Sequence, residues 1–157
     1  MSSIGARMVE LGVVLPEVFR GPPGLEVKFD LVRVFGDVGY ISGHGPIDGA
    51  RPLLQGKVGA ELSLEQGYEA ARLTALSILA SLNAELGDLD RVRGWGKALG
   101  FVNCAPGFNK TPAVINGFSD LVLDLWGEAG RHARSAIGVA ELPFDIPVEV
   151  EAVVYLG

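Results

Sequence analysis

Residues 132–151 read HARSAIGVAELPFDIPVEVE. Two short strands are expected here, joined by a loop centred on Leu142-Pro143 and Pro147. In the second strand Val148, Val150, Ala152 and Val154 alternate with Glu149, Glu151, Val153 and Tyr155. Such period-two alternation puts the valines on one face of a sheet and both carboxylates on the other. Arg134 opens the first strand, so one guanidinium and two carboxylates are expected to meet across a single sheet surface. A guanidinium is planar and permanently charged, which suits it to gripping a carboxylate with two hydrogen bonds. A structural Arg–Glu pair on a solvated face is the competing reading, and the stretch taken by itself favours that one.

Upstream, the chain supplies the rest of a helix-backed sheet. Residues 4–12 suit a short helix with Ile4, Met8 and Leu11 on one side and Gly12 as its stop. A Pro- and Gly-rich segment follows, expected to lack regular structure. Val27–Phe35 and Val38–Gly43 read as a hairpin about Gly36-Asp37, and Leu53-Leu54 as a brief edge strand. Ser63 and Gln66 form a capping box that opens the longest helix, which Gly87 closes. Val92–Asn103 is the next strand. Its small residues Gly94, Gly96, Ala98 and Gly100 alternate with large ones, so something must approach one of its faces closely. Thr111 is placed as the cap of a second helix with Pro112 at its first position. The expected order, ββαβαββ, is α+β: a mixed sheet with two helices on one face. Its other face, bearing Glu149, Glu151, Val153 and Tyr155, is too mixed for a second core and too apolar for open solvent. That composition suits an oligomer interface enclosing a polar pocket.

Composition sets the outer limits. The chain has 157 residues, 48% of them apolar and 20% charged, which suits one folded domain and excludes a disordered one. We place an N-terminal helix and Pro/Gly-rich extension at 1–25 and a single domain at 26–157. The formal net charge is -6, and no basic run exceeds two residues. Phosphate-directed nucleic-acid binding needs clustered Lys and Arg, so no nucleic-acid partner is expected. With one cysteine, Cys104, an intrachain disulfide and a thiolate metal site are both excluded. Two histidines far apart, His44 and His132, are weak evidence for a metal, and neither a metal nor a cofactor is expected. Arg7 and Glu10 interrupt the first apolar stretch, which does not fit a secretory signal. No apolar run reaches membrane-spanning length. A cytoplasmic setting without membrane attachment is the default.

Motifs dispersed along the chain carry a family resemblance. Ala133-Arg134-Ser135, Leu142-Pro143 and Val148-Glu149-Val150-Glu151-Ala152 resemble the C-terminal motif of the YjgF/RidA family. Tyr40-Ile41-Ser42-Gly43, Phe101-Val102-Asn103 and Asn116 follow the same family in order. The extension and the run Gly127–Ser135 make the chain similar to a long-form branch. The resemblance implies a chorismate-mutase-like fold, a homotrimer with sites between subunits, and deaminase activity on enamine or imine intermediates. It also brings the label L-PSP endoribonuclease, to which the charge balance lends nothing. It implies Arg134 as the grip on a substrate carboxylate and Glu149 as the holder of water or shuttle of a proton. Asn116, Ser42, Gly43, Phe29 and Ala136 would line the ligand, a small carboxylate-bearing molecule. The chain departs from the family's short form at three places: Phe29 stands for a tyrosine, Ala136 for a cysteine and His44 for a glutamine. His44 and His132 are therefore candidate acid/base groups, since an imidazole titrates near neutral pH, with exposed loop histidines as the equal alternative. The same departures keep open a non-catalytic carboxylate-binding or sensor trimer.

Overall fold

The computed structural model describes residues 3–157, so residues 1 and 2 of the extension lie outside the described residues. Helix α1 (Ile4–Glu10) is followed by strands β1 (Val32–Phe35), β2 (Val38–His44), β3 (Ile47–Asp48) and β4 (Arg51–Pro52). Then come α2 (Leu64–Leu86), β5 (Val92–Asn103), α3 (Thr111–Trp126), β6 (Ala133–Val139) and β7 (Val148–Leu156). Five strands form one sheet in the order β1-β2-β7-β5-β6, parallel between β5 and β6 and antiparallel elsewhere. α2 and α3 pack side by side on one face. The α+β architecture with two helices on one face of a mixed sheet is thus present.

Local chemistry explains the elements. Ser63 Oγ accepts from the Gln66 amide while Gln66 Oε1 accepts from the Ser63 amide, so two orphan donors of α2 are satisfied reciprocally. Gly87 ends α2 at φ 77°, where a Cβ would cost energy. The core is a single cluster in which Ile78, Leu79, Val114, Phe118, Val122 and Val150 are all fully buried. Val148, Val150, Ala152 and Val154 face the helices as their alternation requires, and Glu151 and Tyr155 are exposed on the far side.

Several expectations need correcting. Residues 27–31 are not strand; β1 begins at Val32. β2 is bulged between Ile41 and His44, and Ser42 ties the irregular segment through its amide to Leu31 O and its hydroxyl to Asp30 O. Leu53-Leu54 is not an edge strand; the short strands just before it, β3 and β4, pair with each other in a separate two-stranded sheet. Thr111 is the first residue of α3 and not its cap; its hydroxyl reaches Ala136 O on β6, 3.1 Å away. Two bulges in β5, at 92–94 and 95–97, break the alternation expected there. The small residues of β5 therefore serve both faces. A Cβ on Gly100 would lie 2.6 Å from Ile115 of α3, whereas one on Gly96 would lie 2.9 Å from Tyr155 on the open face.

The extension is part of the fold. Ile4 is buried, and its amide donates to Asp90 Oδ1 at 2.6 Å. Further on, Glu17 and Arg20 pair with Asp48 and Gly49 of the β3–β4 turn: the Gly49 amide donates to Glu17 O, and the Arg20 amide to Gly49 O. These bonds lead residues 19–31 across one end of the sheet.

Candidate active site

Strand register decides which side chains can meet. Arg134 lies opposite Ala98, and Ala98 opposite Ala152, all on the helix-covered face. Glu149 lies opposite Phe101, and Phe101 opposite Ile137, on the open face. The expected meeting of Arg134 with Glu149 across one surface therefore does not occur within the chain. The reason is period two: 134 shares its parity with Ala136, beneath α3, while the antiparallel register sends Glu149 the other way. Neither makes an ion pair among the described residues.

Each charge has its own built surroundings. Arg134 Nη1 donates to Asn116 Oδ1 at 2.9 Å and to Ser119 Oγ at 3.0 Å, and Nη2 to Pro112 O at 3.3 Å. A guanidinium has five N–H donors, so Nε–H and one Nη2 hydrogen remain without a partner among the described residues. Burial weighs against its charge, and Asp120 supports it. Asn116 thus meets Arg134, and Ala136 lies beside it on the same face of β6. Arg131 sits in the preceding turn, exposed, near Glu128.

Behind Arg134 the hydrogen bonds run in one direction. His132 Nδ1 lies 2.7 Å from Gly130 O, and a carbonyl only accepts, so Nδ1 carries the proton. In the neutral ring that burial favours, Nε2 is bare and accepts from the Ser119 hydroxyl at 3.0 Å. That leaves the Ser119 oxygen to accept from Arg134. Burial, and then the charge of Arg134, push the His132 pKa below its usual value despite the Gly130 bond. His132 is a half-buried imidazole with both ring nitrogens bonded, not an exposed loop histidine. Sequence reading misses Ser119; its one signal is a polar residue three positions after Asn116 on an otherwise apolar helix face.

His44 is likewise spent. It is buried at the end of β2, with Nδ1 donating to Ser42 O at 2.6 Å and Nε2 accepting from Ser81 Oγ at 2.8 Å. Desolvation lowers its pKa against the Ser42 bond. It is a buried imidazole, which corrects the exposed-loop expectation held for it.

Glu149 occupies a cavity of about 280 Å³ whose wall includes Gly43, His44, Phe29 and Phe144. A Cβ on Gly43 would stand 2.1 Å from Glu149 Oε1, so the carboxylate lies in the space a side chain at 43 would take. Desolvation, with a smaller contribution from Glu151, raises its pKa above the ordinary carboxylate range. Phe29 and Gly43 therefore join Glu149 in this pocket. Ser42 does not line it; its side chain is turned to Asp30 O. Sequence reading also misses Phe19 and Phe144, whose rings meet at 6.4 Å; the cue is aromatic residues inside loop-like segments. Among the described residues no group of three or more His, Cys, Asp or Glu could hold a metal, and no helix is long and apolar enough to cross a membrane.

A helix-backed mixed sheet with a carboxylate pocket on its open face and an arginine on its edge strand defines a chorismate-mutase-like α+β protein. Residues 5–156 match the family described as "YjgF/chorismate_mutase-like, putative endoribonuclease"; the chain belongs to the YjgF/RidA family. It is 46% identical over 119 residues to Protein TCP17 of Trypanosoma cruzi, covering 75% of this chain and 74% of that one. The crystal structure of Atu1372 from Agrobacterium tumefaciens superposes with a TM-score of 0.88 at 37% identity, covering 98% of this chain and 92% of that one. A "putative endoribonuclease" of Shewanella oneidensis superposes at 0.90 with 29% identity, covering 99% and 100%.

Proposed function

We propose that the chain is an imine hydrolase, a deaminase converting 2-imino acids to 2-oxo acids and ammonia at sites shared between neighbouring subunits. One observation carries this: Arg134 and Glu149 are each prepared and unpaired, on opposite faces of the sheet. Neither can complete the other within a chain. A ring joins one patch of a subunit to a different patch of the next, and this is the geometry two unlike half-sites require. A homotrimer would supply three such junctions. The open face offers Tyr40 and Tyr155, both about half exposed, as apolar contact surface for it.

The chemistry follows from the two groups. The free N–H donors of Arg134 hold the substrate carboxylate. Water attacks the carbon of the N-protonated imine as Glu149 takes one of its protons, giving a neutral carbinolamine. Glu149 returns that proton to nitrogen; the C–N bond breaks, ammonia leaves, and the hydroxyl proton passes to Glu149 as the carbonyl forms, to be released to ammonia or solvent. A carboxylate with a raised pKa is suited to carry a proton both ways near neutral pH. Placement supplies most of the rate, because the imine is already electrophilic. Ribonuclease activity has no support in a chain of net charge -6.

A non-catalytic carboxylate-binding trimer is the second reading, favoured by one fact: His44 and His132 are both neutral and fully engaged, so Glu149 alone must move protons. Imines generated in solution by an amino acid oxidase, with semicarbazide competing for them, separate the two. Purified protein should speed imine loss in proportion to its concentration; unchanged semicarbazone yield would leave only binding.

A further inference from the structure

Building on the imine-hydrolase reading, we infer that the Glu149 pocket selects 2-imino acids with bulky apolar side chains, branched aliphatic or aromatic, over the alanine-derived imine. The wall explains why. Phe19, Leu25, Val27 and Phe29 of the segment leading into β1 close it on one side, Phe144 and Ile146 on the other. Its polar groups are almost all committed elsewhere. Both His44 nitrogens are bonded, the Ser77 hydroxyl donates to Ile47 O, and Phe144 O accepts from Gln55 Nε2. Glu26 is paired with Lys28 out in solvent. Among the described residues, Glu149 is left as the single uncommitted polar side chain in the pocket.

An occupant therefore meets one carboxylate and an otherwise apolar surface. Its own carboxylate would be repelled from Glu149 and belongs with an arginine; its side chain is what the hydrocarbon wall can hold. The wall is also costly to make, so it is not incidental. Phe144 and Asp145 both sit at positive φ, 60° and 55°, a conformation that costs bulky residues energy. Their turn is held by Gly56 N–H on Asp145 O and by the Gln55 bond. That strained turn brings the Phe144 ring against Phe19 of the extension. A volume of about 280 Å³ exceeds by far what a methyl group needs.

The test compares imines made in situ from alanine, leucine and phenylalanine, together with calorimetric binding of pyruvate and 4-methyl-2-oxopentanoate. Adding methylenes in an apolar pocket discriminates by about 10-fold or more. The leucine- and phenylalanine-derived imines should exceed the alanine-derived one in kcat/KM by that factor, and Phe29→Ala should shrink the ratio. Equal rates, or preference for the alanine-derived imine, would overturn the inference and leave the hydrolase reading intact. Absence of turnover with tighter binding of 4-methyl-2-oxopentanoate than of pyruvate would overturn hydrolysis and support the pocket's selectivity. Neither turnover nor binding would overturn both.

Discussion

Gly43→Ala tests how closely the pocket is fitted to Glu149. Gly43 lies in the bulged segment of β2 but is not among the glycines with positive φ, so alanine meets no left-handed backbone penalty. It meets the carboxylate instead, with the new Cβ 2.1 Å from Oε1 and 2.9 Å from Cδ. Restoring the closest approach that real Cβ atoms show moves the carboxylate by about 1 Å, a misplacement worth about 100-fold in rate. The obstacle is the far end of a flexible side chain, so the folding cost should stay near 1 kcal/mol, or about 2–4 °C in Tm at this size. The assay is kcat/KM in the semicarbazide competition, beside a thermal melt. A double-mutant cycle in Tm with Glu149→Ala isolates the cause: with that side chain removed, Gly43→Ala should cost little stability. Gly43→Ala with wild-type kcat/KM, or an equal fall in Tm in both backgrounds, would refute the proposed link between Gly43 and the carboxylate.

Glu149→Gln should abolish turnover yet raise Tm at pH 8. The raised pKa means the folded chain favours protonated Glu149, a stabilisation complete below the unfolded pKa and lost as pH rises through the folded one. Melts of both proteins should therefore converge towards pH 4; a constant Tm difference would contradict this. The same group sets the acid limb of kcat/KM, which should fall below a pKa lying above the usual carboxylate range, as a pH profile will show. Arg134→Lys should recover little of the loss seen in Arg134→Ala, because a point charge cannot reproduce a forked grip, whereas Arg131→Ala should keep its activity; steady-state kinetics decide both. His132→Phe removes the acceptor that orients Ser119 and should raise KM by several-fold, on the scale of one hydrogen bond of about 1 kcal/mol, with kcat less affected.

Local sequence signals located most of the elements. The capping box at Ser63, the glycine at 87 and the valine alternation of β7 each act within a few residues, and each occurs where its own chemistry puts it. The strand β5 was legible in extent but not in facing, because its two bulges are set by partners far away in the chain. Arg134 and Glu149 stand out as charges in otherwise apolar strands. Their separation onto opposite faces does not, since it depends on strand order β7-β5-β6 and on register, which parity along either strand alone cannot supply. The role of residues 19–31 was hidden for a related reason. A Pro- and Gly-rich segment carries no periodicity, and its apolar side chains acquire meaning only once Glu17 and Arg20 tie it to the β3–β4 turn. His44 and His132 look alike in sequence; burial against α2 and α3, which the sequence does not show, is what lowers the pKa of both.

Subunit complementation tests the shared site most directly. Arg134→Ala and Glu149→Gln proteins, each inactive, are unfolded, mixed in equal amounts and refolded together. If Arg134 of one subunit serves Glu149 of its neighbour, random trimers should recover about a quarter of wild-type sites, each with both groups intact. Were the two residues to act within one subunit, every site would lack one of them. A mixture no more active than its parents, while refolded wild type regains full activity, would contradict the account.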